Sequence, residues 1–360
     1  MAQVLILGTR KGTLVLKREG GAFKPMRASH SGIPVPYACV DPRTGTLWAT
    51  LDHGHWGSKL QRSENGGESW EELTPPAYPE DEELADGTAA TLKYLWVLGP
   101  GGAGEPKRLY LGTEPGGLFV SDDGGESWEL NRGLWEHPSR KQWFGGGRDN
   151  PGIHSILVDP RDHRRVLVGI SCAGVFETAD GGATWKPANR GCTADFLPDP
   201  TSEVGQDPHF VAGCASAPDV LWQQNHCGIF RSTDGAKNWT KVSQAGGPAH
   251  FGFAVAVDAK NPETAWVVPA QADEVRIAVG GALCVCRSDD GGKSWQAFRK
   301  GLPQEQAYDV TFRHALDVSG DALAFGTTTG NVYVSFDRGA SWTCLGNNFP
   351  PVYSVRFGEL

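Results

Sequence analysis

No run of about eighteen apolar residues occurs in this 360-residue chain, which argues against a membrane-spanning helix. No CxxC pair occurs, which removes a zinc–thiolate knuckle, and no Walker-type loop is present to cradle a phosphate. Positive charge is short: 33 Lys and Arg stand against 42 Asp and Glu, giving a net charge of −9 and a pI near 5.6. That balance argues against nucleic acid and anionic membrane as partners. The opening MAQVLILGTRKGTLVLK lacks a basic n-region and a small-residue cleavage site. It reads as two strands, and a cytoplasmic location is the expectation.

The eight cysteines are expected to be reduced thiols, since the chain is large and shows no export signal. Cys284-Val285-Cys286 falls inside a strand, where alternate side chains share a face and a disulfide between them would be strained. What the chain does have is glycine (48), proline (24) and tryptophan (13), the composition of many short strands joined by tight turns.

Six copies of one motif account for much of this. They start at Ser63 (SENGGESW), Ser121 (SDDGGESW), Thr178 (TADGGATW), Ser232 (STDGAKNW), Ser288 (SDDGGKSW) and Ser335 (SFDRGASW). A period near 50 residues marks a repeated supersecondary unit. Alternating apolar runs precede the copies, as in Val332-Tyr333-Val334. The Asp or Asn folds back to accept backbone N–H groups, and glycine supplies positive φ. The Trp returns on the next strand to bury its ring while its N–H finds a partner. Turn chemistry explains these acidic residues, so they are poor candidates for catalysis.

The pattern resembles the Asp-box, or bacterial neuraminidase repeat, of β-propellers. That family includes sialidases, xyloglucan-degrading glycosidases, sortilin-type receptors and photosystem assembly factors. The resemblance covers nearly the whole chain and implies a fold, whereas activity differs among members.

The repeats read as four-stranded blades. One has first strand Ile153–Val158, then 166–170 and 175–178 before its box; 253–258 and 308–312 read as first strands of others. The segment 4–16 matches strands two and three of a further blade, and 352–357 matches a lone first strand. Pairing them completes a seventh blade and removes both free sheet edges. The expectation is therefore all-β: one seven-bladed propeller over 1–360, with a composite blade from 1–30 plus 350–360. The Asp-box blades fall at about 35–75, 92–133, 152–190, 208–243, 251–300 and 306–347.

Boxes between strands three and four mark one end of the propeller. The long loops 75–92, 131–152, 191–208, 243–250 and 271–280 emerge at the other, where a rigid scaffold favours binding. Most histidines fall there too. His53, His55, His154, His209 and His226 are the candidate metal ligands, for zinc, iron, manganese or calcium. His154, His209, Asp207 and Glu114 are the candidate acid–base groups. Arg10, Trp56, Trp143, Arg148, Asp149, His250 and Tyr353 are candidate ligand-binding residues, the aromatic ones by stacking on a ring. Gly145-Gly146-Gly147 reads as a flexible segment able to close over a ligand. Three readings stand side by side: a metal or catalytic cluster, a polar pocket without metal, and histidines that each satisfy a local hydrogen bond.

The resemblance to sialidases implies three arginines on a substrate carboxylate, a Tyr nucleophile and an early Arg-Ile-Pro motif. Gly32-Ile33-Pro34 carries no arginine, and the carboxylate clamp is missing. Paired-carboxylate glycosidase chemistry has only Glu114, Asp149 and Asp207 to draw on. The reading is a propeller that binds a small polar or carbohydrate-like ligand with a divalent metal, as a hydrolase or lyase if it is an enzyme. The alternative is a non-catalytic scaffold for a protein partner.

Overall fold

The computed structural model describes residues 2–360. The chain forms seven antiparallel sheets of four strands, the blades of a seven-bladed β-propeller. Blade I combines Gln3–Thr9, Gly12–Glu19 and Ala22–Ser29 with Val352–Glu359. The two termini pair in register, with Leu5 opposite Phe357 and Leu7 opposite Val355. Blades II to VII span 37–73, 94–130, 153–187, 208–241, 252–298 and 316–346. Among the described residues no helix is long and apolar enough to cross a membrane.

The expected strands at Ile153–Val158 and Val166–Ile170 are present as read, and the first strand of blade VI runs Gly252–Val257. Blade VII departs from expectation. Residues 308–312 form no strand, and its first strand is Leu316–Ser319. The reason is side-chain chemistry: Asp309 Oδ1 accepts from Thr329 Oγ1 at 2.6 Å and Asn331 Nδ2 at 2.7 Å. Those bonds pin the segment as a loop. Tyr308 is consequently 65% exposed and starts no strand.

All six boxes fold alike. In blade III, Ser121 Oγ accepts from the Gly125 N–H (2.8 Å) and donates to Asp123 Oδ1 (2.8 Å), which also accepts from the Ser127 N–H (3.0 Å). The same three bonds recur from Ser63, Thr178, Ser232, Ser288 and Ser335. Hydrogen bonds from Ser294 and Ser288 hold the Asp290 carboxyl down to about 2; those from Thr184 and Thr178 lower Asp180. The fourth and fifth box positions both take left-handed backbone in every copy. Arg338 (φ 60°) and Ala236 (φ 66°) adopt it without being glycine. Box tryptophans reach back toward the preceding blade: Trp185 donates to Asn131 Oδ1 (2.9 Å) and Trp295 to the Val242 carbonyl (2.7 Å). The indole N–H groups of Trp128 and Trp342 are buried without a partner, against the expectation for them.

The chain divides into two compact units, Asp41–Pro208 and Met1–Val40 with His209–Leu360. Within the first, Tyr110, Leu118, Trp143, Ile153, Val168, Phe176 and Trp185 form one core between blades III and IV. Fully burying a ring such as Phe176 stabilises the fold by about 2–3 kcal/mol. Within the second, blades VII and I share a core of Leu5, Leu7, Leu16, Val334, Val352 and Val355. Another joins blades V and VI through Trp222, Val255 and Val267. The Cys284 and Cys286 sulfurs lie 3.9 Å apart, a contact between thiols rather than a disulfide.

Candidate functional site

Strand-edge irregularity, rather than alternation, sets what the first strands present. In blade III the pairing Leu95–Thr113 is followed by Val97–Gly112, leaving Trp96 as an extra residue. In blade IV Ile153–Ile170 is followed by Ser155–Gly169, leaving His154. In blade I Gly8–Ser354 is followed by Thr9–Val352, leaving Tyr353. A bulge of this kind re-aims one side chain and is common beside active sites.

In the unit of residues 1–40 and 209–360, His209 stands on the first strand of blade V and His226 on the turn before its third strand. Their ring centroids are 5.5 Å apart at 84°, and each offers a ligand nitrogen within 4.8 Å of the other's. Phe253 stacks on His209 at 4.6 Å and 17°, and Phe251 meets both imidazoles edge-on at 5.7 Å. His209 Nδ1 lies 2.6 Å from the Gly252 carbonyl oxygen. That oxygen can only accept, so Nδ1 carries the proton and Nε2 keeps the lone pair. Onward from Phe253, Phe312 follows at 6.1 Å and Tyr353 at 6.3 Å, while Arg276 and Arg313 lie 5.4 and 5.6 Å from the Phe253 ring.

Other candidates of this unit stand apart from the imidazole pair. Arg10 is exposed, with its N–H given to the Pro351 carbonyl. The His250 ring faces Ser243 Oγ at 3.2 Å.

The 41–208 unit holds a second arrangement. Glu114, 3% exposed, pairs with Arg148, whose guanidinium lies 4.2 Å from the Tyr94 ring centroid and 5.5 Å from that of Trp96. Tyr94 pairs with Glu114 across the ladder and meets Trp96 edge-on at 5.7 Å. His154 is fully buried at 5.8 Å from Trp96, its Nδ1 3.0 Å from Ser155 Oγ. Tyr94 and Trp96 were missed in the sequence because no loop carries them; only the blade III bulge turns Trp96 toward Arg148.

Asp207 is buried and accepts from the Cys172 N–H at 3.0 Å. His53 is half-buried and His55 exposed, with Trp56 beside them 67% exposed. Asp149 is exposed. Trp143 is a correction: it is buried against Phe176 at 5.0 Å with its N–H on Ser139 Oγ, so packing occupies the ring expected to stack on a ligand. Among the described residues, the set able to hold a metal includes His209 and His226 but none of His53, His55 or His154.

The stretch 119–130 matches the BNR/Asp-box repeat. The oligoxyloglucan-reducing end-specific xyloglucanase of Emericella nidulans is 25% identical over 280 residues, 70% of this chain and 32% of that protein. A xyloglucanase of Paenibacillus sp is 24% identical over 301 residues, covering 75% and 26%. The chain therefore spans about a third of the length of the curated relatives it matches. Among solved structures, an ancestral GH74 enzyme superposes with a TM-score of 0.57 at 16% identity, covering 90% of this chain and 38% of that one. YCF48 bound to D1 peptide superposes at 0.53 and 12%, covering 87% and 83%. These likenesses are distant, and the structural ones establish the fold alone.

Proposed function

We propose that this chain binds a small carbohydrate-class ligand together with a divalent metal, held by His209 and His226. Both imidazoles belong to one compact unit and offer nitrogens close enough to share an ion. The observation that carries the reading is the hydrogen bond from His209 Nδ1 to the Gly252 carbonyl. Fixing one ring nitrogen on a backbone oxygen is how proteins orient an imidazole for metal. A pair of imidazoles suits zinc, iron or manganese better than calcium, which prefers all-oxygen sites. The xyloglucanase relatives support the carbohydrate class, and the half-buried rings of Phe312 and Tyr353 offer it stacking faces. In enzymatic form the reading is a hydrolase or lyase, for which a metal held by His209 and His226 would supply Lewis acidity toward water. Elemental analysis of purified protein and of a His209→Ala/His226→Ala variant tests it. A stoichiometric transition metal that the variant loses is the expected result. No metal in either overturns the metal reading and favours the scaffold.

A further inference from the structure

We infer a second ligand site in the 41–208 unit, built on Tyr94, Trp96 and Glu114, that takes a neutral pyranose ring where Arg148 now lies. It rests on that unit alone and does not need the metal.

The argument begins with what occupies the aromatic face. A guanidinium is a flat cation, and Arg148 places it 4.2 Å from the Tyr94 centroid with Trp96 at 5.5 Å. Stacking of a cation on a ring is worth about 0.5–2 kcal/mol, and the Arg148 side chain stays 40% exposed. The stacking alone is a weak hold, and the ion pair with Glu114 is the contact a ligand has to replace. Gly145 brings that loop back on itself so tightly that a Cβ there would strike the Arg148 carbonyl. The platform beneath is firm by contrast. Trp96 lies on the bulge of blade III, Gly152 packs directly on its six-membered ring, and His154 abuts its edge.

Glu114 decides the ligand. Its carboxylate is 4% exposed and has Arg148 as its partner. Anything that takes the place of Arg148 must offer hydrogen-bond donors to that carboxylate, because a buried charge left alone is costly. It must also present a flat apolar face to Tyr94 and Trp96. A pyranose meets both demands, with an axial C–H face for the rings and vicinal hydroxyls to donate to the carboxylate. An anionic sugar does not, since its own charge would meet Glu114. Arg148 thus acts as a displaceable latch: the loop covers the platform when it is empty and yields it to the sugar.

The test uses the full chain and cellotetraose as a neutral probe, with sialyllactose as the anionic one, followed by tryptophan fluorescence and calorimetric titration. Wild type is expected to bind cellotetraose and not sialyllactose. Tyr94→Ala and Trp96→Ala should each weaken binding about tenfold, and Trp96→Phe should recover most of it. Arg148→Ala should bind more tightly than wild type, because the competitor for the platform is gone. Thermal unfolding of each variant separates a lost site from a lost fold. Absence of cellotetraose binding in both wild type and Arg148→Ala would overturn the site, as would undiminished binding in folded Tyr94→Ala. Preference for sialyllactose would overturn the neutral class, and loss of binding in Arg148→Ala the latch. Metal content measured on the same Trp96→Ala sample keeps this outcome separate from the His209–His226 reading.

Discussion

The Nδ1 nitrogen of His209 lies 2.6 Å from the carbonyl oxygen of Gly252, and the face of Phe253 lies 4.6 Å from the same imidazole. One contact fixes which nitrogen is protonated; the other fixes the plane of the ring. Groups that orient a metal-bound imidazole this way typically contribute 10–100-fold in affinity. Phe253→Leu, which keeps an apolar side chain but removes the stacked ring, should weaken metal binding about tenfold. His209→Ala should abolish it. Competition against a chromophoric chelator measures both, and an unchanged constant in Phe253→Leu would show that Phe253 does not position the imidazole.

The box carboxylates should behave as fasteners. Asp290 accepts from Ser288 Oγ, the Ser294 N–H and Ser294 Oγ at 2.9, 3.0 and 2.6 Å. Asp290→Ala should cost about 1–2 kcal/mol, the scale of a lost cap, and leave metal content untouched. Those bonds depress the native carboxyl to about 2, below the ordinary value of about 3.9 for an unfolded Asp. Its contribution is therefore complete above about pH 4 and lost as pH falls toward 2. Urea unfolding at pH 7 and pH 2 should show the deficit of Asp290→Ala shrinking in acid.

The fifth box position gives an internal comparison. Gly125 sits at φ 91° with a Cβ there 2.8 Å from the Trp48 ring, whereas blade V already carries Ala236 at φ 66°. Gly125→Ala combines strained backbone with a clash and should destabilise by about 1–3 kcal/mol. Ala236→Gly relieves strain but loosens the unfolded chain and forfeits a buried methyl. It should change stability by less than about 1 kcal/mol. Equal effects in denaturant midpoints would sink the left-handed account of this position.

The boxes were legible because each is local: Ser, Asp, Gly and Ser are spaced so that one turn satisfies all of them. Blade I was legible from complementary remnants at the two ends, which the Leu7–Val355 register joins. The strand misplaced at 308–312 has the right alternation, but Thr329 and Asn331, some twenty residues on, decide its conformation. The candidate site was only partly legible for the same reason. His209 and His226 are strand-root residues that pattern could find, yet nothing in sequence order announces the bulge that turns Trp96 toward Arg148. Trp143 shows the converse, a loop aromatic that looked available and is core.

A polar cluster in the unit of residues 1–40 and 209–360 should respond to pH in the opposite sense to the boxes. Tyr37, pushed up to about 12 by burial, meets Arg356 Nε through its hydroxyl at 3.4 Å. Asp317 accepts from the Phe357 N–H at 2.8 Å. Burial raises the Asp317 carboxyl, and the Arg356 charge opposes the rise. A raised native pKa favours folding below the unfolded value of about 3.9, and that advantage fades as pH rises through the native value. Arg356→Met removes the opposing charge, so its destabilisation should grow from pH 4 to pH 7, reaching about 3 kcal/mol. Asp317→Asn in that background should restore part of it. A deficit that does not change with pH would mean that Arg356 acts by packing alone.

Three tryptophans separate fold from surface. Trp143 is 5% exposed and packed on Phe176, so Trp143→Ala should cost about 3–5 kcal/mol and lower the melting temperature by several degrees. Trp56 is 67% exposed on the turn that carries His53 and His55, touching their rings at 6.4 and 4.7 Å. Trp56→Ala should stay within about 0.5 kcal/mol of wild type. Trp96 lies between these limits, half-buried with Gly152 packed on its ring. Its truncation should lower stability by an intermediate amount while shifting the fluorescence that reports sugar. If Trp56→Ala instead destabilises as strongly as Trp143→Ala, the His53–His55 turn is part of the packed fold rather than an open surface. Calorimetric melts of the three variants decide it.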